Sequence, residues 1–208
     1  MLTTFRRLIA KSRFPGSKTY WEHRYAAGGN SGHGSYGEFA QFKADFLNRF
    51  VADHGIRSVI EFGCGDGNQL SLAKYPQYIG IDVSPTAIRI CSDRFRDDPS
   101  KSFFLAGTNT SLQAELSISL DVTYHLIEDD IFARYMADLF AAAQRFVIIY
   151  SSDPKSDLRS EAHVRHRPIS QYVSQLFPNW RLESRAANPL PKHSALNFAE
   201  FMVFVRRE

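Results

Sequence analysis

The chain is poor in cysteine: Cys64 and Cys91 are the only two in 208 residues, and neither has a neighbour at metal-ligand spacing. A disulfide scaffold and a zinc ribbon are thereby excluded, and a reducing compartment is expected. No apolar run approaches the length of a membrane span. The first residues mix Phe5, Leu8, Ile9 and Phe14 with Arg6, Arg7, Lys11 and Arg13 rather than forming a sustained apolar signal region with a cleavage site. That mixture reads as a short docking helix with a solvated face, the alternative being a basic amphipathic anchor. The expected location is cytoplasmic. Charge of one sign is also lacking, with 25 Lys and Arg against 22 Asp and Glu and a formal net charge of +3. A surface built for nucleic acid carries a far larger excess, so nucleic acid is not an expected partner and any anion must be recognised locally.

What the chain does have is 44% hydrophobic residues, enough for one substantial core and too few residues for two ordinary domains. We expect a single domain spanning 1–208, with a helical cap and glycine-rich lid over 1–55 and the core over 56–208. Phe39, Phe42, Phe46, Leu47 and Phe50 recur at helical spacing and predict a helix over 36–50, ended by Asp53-His54-Gly55. Apolar runs at 58–60, 78–81, 102–106, 118–122 and 146–150 predict five strands, with helices at 68–74, 86–95 and between the last two strands. Two further strands are expected around Trp180 to Ser184 and Phe201 to Val205. Alternation of strand and helix implies an α/β architecture with a parallel sheet.

The first strand runs into Glu61-Phe62-Gly63-Cys64-Gly65-Asp66-Gly67, an acid followed by G-x-G-x-G. Glycines there let the backbone turn sharply and come close to a ligand. The next apolar run ends in Asp82, about 20 residues after the loop, where a Rossmann-type site sets a carboxylate against ribose hydroxyls. Ser84 and Pro85 follow, a cap and a first-turn residue for the next helix. The dinucleotide fingerprint G-x-G-x-x-G would need its third glycine one position later, where Asn68 stands.

These two motifs resemble those of the class I S-adenosylmethionine-dependent methyltransferases, over roughly residues 59–206. The resemblance implies a Rossmann-like, seven-stranded, mostly parallel sheet with an antiparallel last strand and helices on both faces. It implies S-adenosyl-L-methionine as cofactor and S-adenosyl-L-homocysteine as product. By that resemblance the backbone at Gly63 and Gly65, with Cys64 between them, cradles the methionine part. Glu61 lies near its amino group or orders the loop, Asp82 takes the ribose hydroxyls and Val83 lies against the adenine. Asp121, after the fourth strand, joins this set. An acid that many members carry after the third strand is missing, and Asn109 is the candidate replacement because an amide both donates and accepts.

After the fourth strand the prolines of the nucleobase amino-methylating signature are absent, and Asp121, Tyr124 and His125 stand there instead. An imidazole is the usual general base at neutral pH, so His125 is the first candidate base; the alternative is a helix-capping or loop-ordering histidine. The segment 151–168 is too long for a plain connection and holds Arg159, His163, Arg165 and His166. His163 and His166 are further catalytic candidates, and their i, i+3 spacing lacks a third ligand for a metal. Tyr36, Tyr124, Arg159 and Arg165 are candidate substrate residues, the arginines for a phosphate or carboxylate. Five glycines between Gly28 and Gly37 predict a pliable lid, the alternative being a surface linker. The expected reaction is methyl transfer to an oxygen of a small sugar or phosphate-bearing acceptor, and a fainter resemblance points to bacterial surface-polysaccharide methyltransferases. RNA or protein methylation, or a cofactor-binding subunit without acceptor chemistry, are the alternatives.

Overall fold

A computed structural model describes residues 14–108, 111–161, 163–190 and 199–207. Five parallel strands come first: β1 (Ser58–Phe62), β2 (Gln77–Asp82), β3 (Lys101–Leu105), β4 (Ala114–Leu120) and β5 (Ala143–Ser151). With β8 (Trp180–Ala187) and β9 (Glu200–Arg206) they form a seven-stranded sheet in the order β3-β2-β1-β4-β5-β9-β8. β9 runs antiparallel to both of its neighbours, β5 and β8. The parallel register pairs Ile60 with Ile79 and Glu61 with Gly80.

Because side chains alternate across a strand, Val59 and Ile148 face one side of the sheet while Ile60 and Ile149 face the other. Helices α2 (Gly37–Asp53) and α3 (Pro85–Arg94) cover the first side, α4 (Asp129–Ala141) and α5 (Ile169–Leu176) the second. On α2 the fully buried stripe is Ala40, Lys43, Ala44 and Leu47, whereas Phe42, Phe46 and Phe50 are half-buried along its flank. Those rings pack on the far half of the sheet, Phe46 stacking on Phe201 at 3.9 Å and Phe50 meeting Phe146 edge-on. Removing a side chain as enclosed as Leu47 costs about 2–5 kcal/mol. Ser84 caps α3 by accepting the Ala87 N–H, and Pro85 occupies its first turn.

Three expected elements differ. The helix at 68–74 is reduced to one 3₁₀ turn, Leu70–Leu72, because the Asn48 amide of α2 takes both the Leu72 carbonyl and the Lys74 N–H and so ends it. Strand β4 ends at Leu120 rather than at 122, since Asp121 turns out of extended geometry with φ 60°. The segment 151–168 contains a hairpin, β6 (Leu158–Glu161) and β7 (Val164–His166), paired antiparallel outside the main sheet. Among the described residues no helix joins β3 to β4, and no helix is long and apolar enough to cross a membrane.

Candidate active site

At the carboxyl end of β1 the chain turns through Gly63 at φ 84° and Gly65 at φ 58°. The N–H groups of Gly63 and Cys64 both donate to the Ile81 carbonyl, which pins the loop to the end of β2. A Cβ on Gly63 would collide with Val122, and one on Gly65 with Ser31 Oγ and the Tyr25 hydroxyl. The close approach that glycine permits here is therefore first to the chain itself.

Asp82 ends β2 with one oxygen accepting the Gly65 N–H at 2.9 Å and the other the Ser84 N–H at 2.9 Å. Burial pushes its pKa up to about 6, against the pull of the backbone donors Ser84, Gly65 and Val83. Glu61 is buried beneath the loop and accepts from the Tyr78 hydroxyl at 2.6 Å. Burial raises it to about 7, opposed by that hydroxyl and by the charge of Lys43. Lys43 itself forms a 2.5 Å ion pair with Asp121, whose other oxygen accepts from Tyr124 at 2.8 Å. Glu61, Asp82 and Asp121 thus line one cavity of about 360 Å³ together with Gly63, Cys64 and Val83, a size suited to a small-molecule ligand.

The N-terminal segment roofs this cavity. Helix α1 (Ser17–Ala26) is fastened at its start by Glu128, which accepts from the Ser17 N–H and hydroxyl. Midway, Glu22 accepts from Ser84 and Thr86 at the start of α3, and these bonds hold its pKa below the usual carboxylate value. The glycine-rich stretch is seated on the loop: Asp66 accepts from the Ser31 N–H at 2.9 Å and from the Tyr36 hydroxyl at 2.8 Å. Burial works against the Asp66 carboxylate, yet these donors and the Asn68 N–H keep its pKa low.

His125 lies in a 3₁₀ turn, Thr123–His125, and lines the cavity beside Trp21. Its Nδ1 sits 3.3 Å from the His163 carbonyl, and burial lowers its pKa to about 4. It is the one candidate catalytic histidine at the cavity wall. The His163 ring stacks between Tyr20 and His125, and His166 is buried with Nδ1 2.8 Å from Ser152 Oγ. Arg165 is committed to Asp157, Asp129 and the Ile127 carbonyl. Arg159 is exposed on β6, while Tyr36 and Tyr124 hold Asp66 and Asp121 from outside the cavity wall. Asn109 lies outside the described residues.

No protein-family model and no curated protein sequence matches the chain. Solved structures do. The N-methyltransferase NodS from Bradyrhizobium japonicum WM9, in complex with S-adenosyl-L-homocysteine, is 15% identical at a TM-score of 0.69, covering 93% of this chain and 100% of that one. Magnesium protoporphyrin IX methyltransferase from Synechocystis PCC 6803 with bound S-adenosylmethionine is 16% identical at 0.62, covering 91% and 97%. The methyltransferase domain of bacterial CtHen1-C is 17% identical at 0.65, covering 81% and 98%. The chain has the class I methyltransferase fold.

In that fold the residues beyond the carboxyl ends of β1, β2 and β4 meet in a single cleft, the usual ligand position of an open parallel sheet. Sequence reading left out four contributors. Lys43 is a lone cation within an apolar helical stripe, and that interruption is its only sequence signal. Ser17, Glu22 and Glu128 act across 62 to 111 residues of chain, and nothing local marks them.

Proposed function

We propose that the protein binds S-adenosylmethionine and transfers its methyl group to the hydroxyl of a small acceptor. The observation that carries this reading is the convergence of Glu61, Asp82 and Asp121 on one cavity against the glycine loop. Three carboxylates suit a ligand with cationic groups and vicinal hydroxyls, and they repel the pyrophosphate of a dinucleotide. Asp82 keeps acceptor capacity for a ribose hydroxyl after its backbone bonds are made, and the backbone at Gly63 and Gly65 lines the cavity beside it. Val83 and Gly107 line the same cavity where an adenine would lie. When bound, S-adenosylmethionine supplies an already activated methyl group, so the protein's task is largely positioning.

His125 fits the acceptor end. With Nδ1–H donating to the His163 carbonyl, Nε2 carries the lone pair available to a hydroxyl. A pKa near 4 keeps that nitrogen neutral and hydrogen-bond accepting, and makes it a weak base. Ser17 bonds the His125 carbonyl at 2.8 Å, and Arg167 bonds those of Leu126 and Ile127, so the turn is held from both sides. An arginine clamp for an acceptor phosphate has no support from Arg165, whose guanidinium is already paired; the cations lining the cavity are Lys18 and Arg134. The low basicity of His125 also favours a second reading, methylation of a neutral amine, which needs no strong base. Two buried free thiols suit a reducing, cytoplasmic setting.

Calorimetry with S-adenosylmethionine, S-adenosylhomocysteine and a nicotinamide dinucleotide tests the cofactor. Binding of the first two and not the third is expected, and the reverse pattern removes the reading. Release of S-adenosylhomocysteine across a panel of hydroxyl, amine and RNA acceptors then separates the acceptor classes.

A further inference from the structure

Lys43 is 1% exposed on α2, and its ammonium sits 2.5 Å from Asp121, which is 16% exposed and lines the cavity. Packing alone does not call for a lysine there, because an apolar residue would complete the α2 stripe without a desolvation cost. The carboxylate is aimed deliberately. Asp121 is the one described non-glycine residue with positive φ, a conformation that persists only where its surroundings impose it. The Tyr150 carbonyl takes its N–H, Tyr124 binds one oxygen and Lys43 the other. Gly34 leaves room for that second oxygen, which a Cβ would approach at 2.8 Å. Val122, the next residue, fills the space over Gly63 of the glycine loop.

We infer that the Lys43–Asp121 pair sets the site's preference between a sulfonium ligand and its neutral thioether product, Lys43 being the residue that restrains the preference. The inference rests on the proposed S-adenosylmethionine binding. In the transfer, a bond forms between the acceptor oxygen and the methyl carbon. The carbon–sulfur bond breaks with its electron pair left on sulfur, and the hydroxyl proton leaves to His125 or water. Sulfur therefore loses one unit of positive charge, and each fixed charge beside it acts on the two ligands by difference. Asp121 alone favours the sulfonium and so stabilises a ground state whose charge fades in the transition state, which slows the reaction. Lys43 offsets this while leaving the carboxylate in place. At protein-like dielectric a unit charge about 10 Å away changes the relative affinity on the order of tenfold.

The experiment measures dissociation constants of S-adenosylmethionine and S-adenosylhomocysteine for wild type, Lys43→Met, Asp121→Asn, the double variant and Lys43→Arg. The ratio of the thioether constant to the sulfonium constant is expected to rise about tenfold in Lys43→Met and to fall by a similar factor in Asp121→Asn. It returns to within about threefold of wild type in the double variant and stays unchanged in Lys43→Arg. A merely structural role weakens both ligands together and leaves every ratio at the wild-type value, which overturns the inference. If Lys43→Met does not fold, Asp121→Asn decides alone. A wild type that binds neither ligand overturns the cofactor reading and this inference with it, whereas binding with fixed ratios overturns only the latter.

Discussion

The two halves of the cleft are built by different means. The half at the ends of β1 and β2 is local: the Gly65 and Ser84 N–H groups meet Asp82 across at most 17 residues, and the Gly63 and Cys64 N–H groups meet the adjacent Ile81 carbonyl. The half around His125 is assembled from afar. Ser17 reaches it across 108 residues, His163 across 38 and Arg167 across 41. A site made of backbone and glycine is fixed by a short motif, while a site held by Ser17, the His163 carbonyl and Arg167 depends on tertiary packing.

Four experiments can break or sharpen that contrast. The largest effect is expected for Asp82→Ala, which removes the charge-assisted hydrogen bonding to the proposed ribose and should weaken cofactor binding roughly 10²- to 10³-fold by calorimetry. Unchanged affinity would remove Asp82 from the local half. Next, His125→Ala should lower turnover by about 10²-fold, the weak end of general-base contributions, with cofactor affinity intact. His163→Ala keeps the backbone carbonyl that anchors His125 and should cost less than about tenfold; a larger loss from His163 than from His125 reverses their roles.

Arg167→Ala leaves the Leu126 and Ile127 carbonyls without their partner and should destabilise the fold by about 1–3 kcal/mol in denaturant unfolding. A neutral result would mean that the distant half does not depend on the β6–β7 side of the cleft. The smallest effect is on pH. With the Asp82 pKa at about 6 in the free protein, ligand hydroxyls bind its ionised form, so affinity should fall up to tenfold per unit as pH drops below 6. For stability the sign is opposite. A carboxyl whose folded value lies above its unfolded value stabilises fully below the unfolded value of 3.8, and this contribution is lost as pH rises through 6. Affinity that is flat from pH 7 to 5 would rule out an ionised Asp82 in ligand binding.

The legibility of the sequence follows the same division. The order of strands, the glycine loop and the Ser84-Pro85 cap could be read because period and spacing are local properties. Lys43 could not, since a helical stripe predicts only that a position is buried and the partner that makes a buried lysine tolerable comes from 78 residues away. Pairing of the arginines on and after β7 was hidden for the converse reason. A charged loop looks available to a ligand, whereas Arg165 and Arg167 bond Asp129 and the Leu126 and Ile127 carbonyls ahead of α4. Of the apolar positions read on α2, Phe39 and Leu47 are buried, while Phe42, Phe46 and Phe50 are half-buried and Ala40, Lys43 and Ala44 complete the innermost stripe.

Helix α1 is bonded at its first residue to the Glu128 and His125 segment and through Glu22 to the cap of α3. It therefore bridges the His125 side and the Asp82 side of the cavity as one helix of 10 residues. Lifting the helix away from the cavity breaks both sets of bonds. On the proposed function, a shared opening of α1 is expected to give release of S-adenosylhomocysteine and of methylated product the same rate constant, which stopped-flow measurement of the two departures checks.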